Sequence, residues 1–297
     1  MIKKTFAIIY FLPLFFLLIQ TKSAWSQISK KICIIVPAYN EEHRIQMMLG
    51  AYLPYFQARK KELDITFLVV ANNCSDQTVV ICKKIQKQHS NLEVLDLKPG
   101  GKGFALKQGF LYALQKPYDY IGFVDADLAT LPCYYDDLIK AMEGVDGVIA
   151  SRYMPGACVW PKRPWLRKLG GKFYNWLLNR QLKISFKDTQ CGAKIFTYDT
   201  IKKVAPEMTE QRWAWDLEFL YLCRLEDKII KEVPTTWSDQ PGSHLIISSS
   251  LMKEFLASPK RIKKVHREKA LQKKKEKRCL KRAKKNKKLP FINEALL

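Results

Sequence analysis

Residues 120–127 have the sequence YIGFVDAD, in which an apolar segment ends at two aspartates separated by one residue. A continuous apolar segment of this length is typical of a strand that is buried on both faces of a parallel sheet. Asp125 and Asp127 follow that strand at its carboxyl end, where parallel α/β sheets bind their ligands. Mg²⁺ and Mn²⁺ bind carboxylates together with phosphate oxygens, so the pair predicts a metal site for a diphosphate. The alternative is that Asp127 only caps the helix that follows.

Segments of the same kind flank this one along the chain. The apolar patterns predict strands at residues 31–37, 65–71, 92–97 and 147–150. Helices are predicted between them at residues 40–55, 75–87, 103–114 and 132–143, with Asn40 as the N-cap of the first. Strands that alternate with helices in this way indicate an α/β fold with a parallel sheet. From residue 151 to residue 237 the pattern is looser and predicts loops, a helix rich in tryptophan and short strands.

The loops after the first three predicted strands are polar, acidic or rich in glycine. Their sequences are VPAYNEE at residues 36–42, NNCSDQT at residues 72–78 and KPGGKG at residues 98–103. All three are expected at the same edge as Asp125 and Asp127, because the carboxyl ends of parallel strands meet there. This edge is therefore the predicted ligand site.

Together these motifs resemble the nucleotide-sugar-binding half of glycosyltransferase family 2, and most closely its polyprenyl-phosphate (dolichyl-phosphate) β-glucosyl- and mannosyltransferases. Motifs in the second half extend the resemblance: SRY at 151–153, DTQCGAK at 188–194, WDLE at 215–218 and residues 234–243. The resemblance covers residues 30–256 and implies a GT-A domain, with a mixed, mostly parallel sheet flanked by helices. Each motif alone is common, whereas the combination is specific.

The resemblance also implies a set of donor-binding residues. They are Pro37, Tyr39, Glu41, Asn72, Lys102, Asp125 and Asp127. The first three would hold the nucleotide base and ribose, Lys102 would approach the phosphates, and the two aspartates would bind the diphosphate and Mg²⁺ or Mn²⁺.

Two positions depart from the pattern of the family. Many relatives have a carboxylate at the end of the second strand that binds the base, whereas this chain has Asn72, which can hydrogen-bond a uracil edge only without charge. Mannosyl-type relatives often have a glutamine at the position of Ala129. The sequence is therefore nearer to the glucosyl type.

The acceptor that the resemblance implies is a polyprenyl phosphate. A lipid phosphate is already largely anionic at pH 7 and needs cations that position it rather than a general base. The implied acceptor-binding residues are Arg167, Gln190, Lys194 and Ser243, and the implied catalytic residues are Asp127, Asp216 and Arg152. Asp216 and Glu218 would act as a base or orient the cations, the alternative being a structural ion pair. Arg167 has the alternative of a solvated helix face.

The predicted activity is an inverting, metal-dependent transfer of a hexose, preferably glucose, from UDP-glucose or GDP-mannose to a polyprenyl phosphate. A saccharide hydroxyl acceptor is the alternative and would require Asp216 as a base. A third hypothesis is a nucleic-acid-binding protein that acts through its basic tail. That tail lacks aromatic residues between Phe255 and Phe291, so no specific nucleic acid partner is expected.

The composition excludes a disordered or collagen-like protein, because 47% of the 297 residues are hydrophobic. Lys and Arg outnumber Asp and Glu by 51 to 28, and 18 of these cations fall within residues 253–297. Such an excess predicts an anionic partner.

The lysine-rich tail, residues 257–297, is expected to be disordered or a frayed helix that binds an anionic membrane surface. Residues 160–165 and 174–178 place aromatics beside cations, as at a membrane interface.

Residues 1–26 predict a signal-anchor or a signal peptide, because an uncharged segment, residues 5–19, follows Lys3 and Lys4. Ala24 and Ser26 have the pattern of a cleavage site, which would lead to export. Sugar nucleotides are cytosolic, so the favoured prediction is a membrane-associated protein whose catalytic domain faces the cytoplasm.

Overall fold

The computed structural model describes residues 29–161, 165–238 and 249–286. Its strands are β1 (Lys30–Ala38), β2 (Leu63–Asn72), β3 (Leu92–Leu97), β4 (Tyr120–Val124), β5 (Gly147–Ser151), β6 (Cys158–Trp160), β7 (Ala193–Thr197), β8 (Ile230–Pro234) and β9 (Thr236–Ser238). Its helices are α1 (Ile45–Gln57), α2 (Thr78–Gln86), α3 (Lys102–Ala113), α4 (Pro132–Lys140), α5 (Trp165–Leu182), α6 (Tyr198–Val204), α7 (Trp215–Leu225), α8 (Ser249–Val265) and α9 (Arg267–Asn286).

Seven strands form one central sheet in the order β3-β2-β1-β4-β7-β5-β8. Neighbouring strands are parallel except that β7 runs antiparallel to both β4 and β5. The strands β6 and β9 form a separate parallel pair. The predicted α/β class with a mixed, mostly parallel sheet is confirmed.

The sheet lies between two hydrophobic layers, as β1 illustrates. Ile32, Ile34 and Val36 belong to a core cluster that also contains residues of α1, α2 and α4. Cys33 and Ile35 belong to a second cluster, with residues of α3, α5, α6 and α7. Successive side chains of a strand point to opposite faces, so an uninterrupted apolar strand can supply both layers.

The predicted strands and helices up to β5 are present, but α1 begins at Ile45 and not at residue 40. Asn40 has a backbone φ of 52°, which is incompatible with a helical start. Its side-chain Oδ1 instead accepts a hydrogen bond from the Ser75 amide at 2.9 Å. The prediction that Asn40 caps α1 was therefore wrong, and this residue joins the loops after β1 and β2.

The beginning of the basic tail belongs to a pair of helices that packs on the domain, whereas disorder or a frayed helix was expected. Ile262 of α8 is fully buried in the cluster with α7. Arg261 forms two 2.7 Å hydrogen bonds with the Glu210 carboxylate, and Lys269 lies 3.1 Å from Glu226. Acidic side chains of the domain thus meet the tail cations, and composition alone does not reveal this pairing.

None of the helices in the described ranges combines the length and the hydropathy that a membrane span requires. The predicted anchor or signal peptide, residues 1–26, lies outside the described residues.

Candidate active site

The loops after β1 and β2 are joined by hydrogen bonds at the carboxyl edge of the sheet. The Glu41 amide donates to Thr78 Oγ1 at 2.7 Å, and the Glu42 amide donates to Asp76 Oδ2 at 3.0 Å. The Glu41 carboxylate is nearly buried and accepts two hydrogen bonds from Arg44, at 2.6 and 2.7 Å. This edge is thus a fixed platform before any ligand binds.

Asn72 connects this platform to the loop after β3. Oriented with its amide nitrogen toward β1, the buried side chain donates to the Ala38 carbonyl at 2.9 Å. Its oxygen then accepts from the Gly101 amide, also at 2.9 Å. The amide that was predicted to contact a base is therefore engaged within the protein, and base contact by Asn72 stays a prediction.

Asp125 lies where β4 ends, against the loop that precedes β7. Its amide donates to the Gly192 carbonyl at 2.9 Å, and its Oδ1 lies 2.6 Å from the Lys102 ammonium. A Cβ atom on residue 192 would be 2.0 Å from Asp125 Oδ2, so any other residue there would displace the Asp125 carboxylate. Lys102 and Asp125, predicted from separate motifs, do come together.

Asp127 is a second carboxylate beside Asp125. Burial and the Asp125 charge raise the pKa of Asp127 to about 6, although the Ala129 amide donates to its Oδ1 at 3.0 Å. The helix α4 begins five residues later, at Pro132, so capping of that helix does not explain Asp127.

This pair of carboxylates fits a divalent cation. Both groups share a partly desolvated space, where a nearby positive charge stabilises the ionised form. The described residues contain no group of three or more His, Cys, Asp or Glu that could hold a metal alone. Mg²⁺ or Mn²⁺ at Asp125 and Asp127 would therefore complete its coordination with phosphate oxygens and water, as Mg²⁺ commonly does.

Lys194 and Asp216 form a buried ion pair behind these aspartates. The Lys194 side chain is 1% exposed, and its ammonium donates to Asp216 Oδ1 and to the Thr189 carbonyl. Burial raises the pKa of Asp216, while Lys194 and Lys102 oppose that shift. Lys194 does not face open solvent, so its predicted contact with the acceptor stays a prediction that this burial disfavours.

Arg152 is held by a carboxylate in the same way. It donates to both oxygens of Asp188, at 2.7 and 2.8 Å, and its guanidinium lies 5.0 Å from the centre of the Trp237 ring. Burial alone would raise the pKa of Asp188, but the Arg152 charge and its hydrogen bonds lower it. The guanidinium is thus fixed beside the loop that carries Gln190.

The remaining predicted residues are distributed as follows. Pro37 pairs with Val70 in the sheet, and Tyr39 is 43% exposed at the same edge. Gln190 is exposed, and its amide donates to Asp188 Oδ1 at 3.3 Å. Arg167 lies in α5, but its side chain is not among those that the structure describes, and Ser243 lies outside the described residues.

Glu218 does not lie with Asp216 beside Lys194, and the alternative for Glu218, a structural ion pair, agrees with its contact with His266. It is fully buried and accepts hydrogen bonds from Thr209, Glu210 and His266. The spacing contained the signal, because residues two apart on a helix do not face the same side.

Comparison with known protein sequences identifies the family of the chain. The sequence profile described as Glycosyl transferase family 2 matches residues 33–204. Three curated relatives, each called dolichyl-phosphate beta-glucosyltransferase, are similar in sequence. The chain is 34% identical to the Drosophila melanogaster protein over 233 residues, covering 73% of this chain and 70% of that protein. Identity is 32% over 226 residues for Dictyostelium discoideum (72% and 68% covered) and 30% over 244 residues for Homo sapiens (75% and 72%).

Comparison with solved structures identifies proteins of the same fold. Glucosyl-3-phosphoglycerate synthase from Mycobacterium tuberculosis, in complex with Mn²⁺, UDP and phosphoglyceric acid, has a TM-score of 0.55 and 15% identity, covering 82% of this chain and 80% of that chain. The same enzyme with Mn²⁺, UDP-glucose and phosphoglyceric acid has a TM-score of 0.54 and 15% identity, covering 82% and 81%. At this identity the likeness concerns the fold alone, and it confirms the predicted GT-A fold.

Proposed function

The chain belongs to glycosyltransferase family 2, and we propose that it transfers a hexose, glucose by preference, from a nucleotide sugar to a polyprenyl phosphate. The activity for which the curated relatives are named supports this acceptor and this sugar. UDP and UDP-glucose in the structural neighbours support a UDP-sugar donor, with GDP-mannose as the alternative. The observation that carries the proposal is the pair Asp125 and Asp127 at the end of β4, with Lys102 beside Asp125.

The donor would bind along the carboxyl edge of the sheet. Pro37, Tyr39 and Glu41 are the proposed contacts of base and ribose, on the platform that Asn72 holds in place. Lys102 is the proposed contact of a phosphate oxygen, since its ammonium already lies at the first aspartate. Mg²⁺ or Mn²⁺ bound there would neutralise the diphosphate and make it a better leaving group.

The acceptor phosphate would attack the anomeric carbon from the face opposite the diphosphate. A new C–O bond forms while the bond to the diphosphate breaks, so the anomeric configuration is inverted and a nucleoside diphosphate leaves. No proton has to be removed, because the phosphate is already an anion. Asp127 would act on the leaving-group side by holding the divalent cation that neutralises the charge of the diphosphate.

Cations would position the acceptor. Arg167, Gln190, Lys194 and Ser243 remain the proposed contacts. Because Asp188 and Asp216 already hold Arg152 and Lys194, we assign these two ion pairs the task of shaping the acceptor side.

A membrane surface is the proposed location of the acceptor. Trp160, Trp165, Phe173 and Trp176 are all more than half exposed, and the Arg180 guanidinium lies 5.6 Å from the Trp176 ring centre. Amphipathic rings beside cations suit the headgroup region of a bilayer. The catalytic domain is proposed to face the cytoplasm, with export after cleavage near residue 26 as the alternative.

A saccharide hydroxyl acceptor is the second candidate. The raised pKa of Asp216 favours it, because a carboxylate of higher pKa is a better general base.

A donor screen tests the proposal. The purified full chain is incubated with polyprenyl phosphate, Mn²⁺ and, in turn, UDP-glucose, UDP-galactose, GDP-mannose and GDP-glucose. The expected result is an acid-labile lipid-linked sugar from one donor, lost on addition of EDTA and restored by Mn²⁺. Absence of product from every donor, with membrane extract also supplied, would count against it.

A further inference from the structure

Glu218 is a fully buried carboxylate for which the proposed reaction has no direct use. It accepts hydrogen bonds from the Thr209 amide at 2.9 Å, the Thr209 hydroxyl at 2.6 Å and the Glu210 amide at 2.8 Å. The fourth partner is Nε2 of His266, 2.8 Å away and itself 5% exposed. Burial would raise the pKa of Glu218, but these donors lower it, so the group is ionised and His266 donates.

The loop that Glu218 holds, residues 209–212, supports the first turn of α3. The Gly103 amide donates to the Arg212 carbonyl at 3.1 Å, and the Phe104 amide donates to the Gln211 carbonyl at 2.9 Å. A Cβ on residue 101 or on residue 103 would lie 2.4 Å from a carbonyl oxygen of this loop. The two segments are in direct contact at Gly101, Gly103 and Phe104, so a shift of the loop is expected to move the first turn of α3.

Lys102 lies between those two glycines, and its ammonium is the group 2.6 Å from Asp125. The contacts therefore form a continuous series from the tail to the proposed donor site. His266 contacts Glu218, which holds residues 209–212. That loop supports the first turn of α3, from which Lys102 reaches Asp125. Arg261 of the tail also holds this loop, through its two hydrogen bonds with the Glu210 carboxylate.

We propose that Glu218 is a positioning residue for donor binding: clamped by His266 of the basic tail, it fixes residues 209–212 and thereby places Lys102 at Asp125. The inference rests on the proposed function only in that Lys102 and Asp125 bind the donor diphosphate. The part of the basic tail that packs on the domain would then have a role in donor binding, which is distinct from membrane binding.

The chain offers a matched control at the other end of α7. Glu226 also pairs with the tail, through Lys269 at 3.1 Å and Lys273 at 3.5 Å. It follows the last turn of α7, whereas Glu218 is in the first turn. Glu226→Gln therefore removes a contact with the tail and leaves the hydrogen bonds to residues 209–212 in place. Glu218→Gln removes the carboxylate that holds both residues 209–212 and His266.

The experiment compares wild type, Glu218→Gln and Glu226→Gln in the full chain by three measurements. Backbone hydrogen exchange at residues 103 and 104 measures, without any ligand, how firmly the loop holds the first turn of α3. Calorimetry with UDP and Mn²⁺ reports donor-site affinity, and steady-state kinetics separates the donor KM from kcat. Melting temperatures identify a variant that does not fold.

Glu218→Gln is expected to speed exchange at residues 103 and 104, to weaken UDP binding and to raise the donor KM roughly tenfold, with kcat at saturating donor within about twofold of wild type. Glu226→Gln is expected to match wild type in all three. If Glu218→Gln does not fold, His266→Leu should give the same changes, and His266→Gln, which keeps a donor, should restore most of the affinity.

Two results would overturn the inference: unchanged exchange and UDP affinity in Glu218→Gln and His266→Leu, or equal changes in Glu226→Gln. Failure of wild type to bind either UDP or GDP would instead contradict the proposed function and leave the exchange result standing, because the exchange measurement needs no donor. The two failures are therefore distinguishable.

Discussion

The Lys102 ammonium lies 2.6 Å from Oδ1 of Asp125, so the loop after β3 reaches the aspartates after β4 before any ligand binds. Burial would lower the pKa of Lys102, but Asp125 and Asp216 raise it, and the lysine stays charged. A donor diphosphate bound at the proposed site would lie beside this cation. The proposed donor site depends on this pair.

Asn72→Asp is expected to weaken UDP binding. The substitution replaces the donor to Ala38 by a second acceptor, and two facing oxygens 2.9 Å apart repel each other. We expect a roughly tenfold loss of affinity by calorimetry. The neighbouring Asn73→Asp adds the same charge at an exposed side chain and should have little effect. Tighter UDP binding by Asn72→Asp would contradict the bridging role.

Gly192→Ala is expected to abolish binding of Mn²⁺ and UDP together. The new Cβ would be 2.0 Å from Asp125 Oδ2, so that carboxylate must rotate away from its place. Calorimetry should show a loss of at least about 100-fold. Gly50→Ala is the control, because nothing lies within 4 Å of its added Cβ, and it should keep full affinity. Normal binding by Gly192→Ala would mean that Asp125 is not needed in this position.

Asp127→Asn is expected to stabilise the metal-free protein at pH 7.5 while it abolishes Mn²⁺ binding. The pKa of Asp127 rises on folding from 3.8 to about 6, so the folded chain binds more protons than the unfolded chain between these values. The unfolding free energy therefore falls as pH rises through this interval and stays lower above it. Asparagine imitates the protonated acid and avoids that loss.

Melting curves in EDTA check this prediction at two pH values. The melting temperature of Asp127→Asn should exceed that of wild type by a few degrees at pH 7.5 and equal it near pH 4. Asp137→Asn, at a side chain 59% exposed, is the control and should follow wild type at both. A constant difference between Asp127→Asn and wild type would refute the assigned titration.

Asp216→Asn separates the two acceptor classes. With a phosphate acceptor we expect a loss in kcat of less than about tenfold, because no proton has to be removed; with a hydroxyl acceptor we expect at least about 100-fold. The substitution also leaves Lys194 without its carboxylate, which destabilises the fold by about 3–5 kcal/mol. Lys194→Gln breaks the same ion pair and keeps the carboxylate, so it serves as the control. Equal and large losses in both variants would assign Asp216 a structural role.

The sequence predicted the features that depend on local pattern. Apolar strands ending in polar loops predicted that the loop that carries Lys102 would lie at the same edge as Asp125, since the carboxyl ends of parallel strands share one edge. The bridge made by Asn72 could not be predicted, because it depends on the exact approach of the Ala38 carbonyl and the Gly101 amide. The docking of the tail depends on Glu210, which composition does not distinguish from other surface acids.

The most direct test of the central claim compares two lipid acceptors that differ by one group. The full chain, supplied with Mn²⁺ and the donor selected in the screen, is given either a polyprenyl phosphate or the polyprenol of the same length, in the same detergent. We expect a lipid-linked sugar from the phosphate and none from the alcohol. Equal product from both lipids, or product from the alcohol alone, would contradict it.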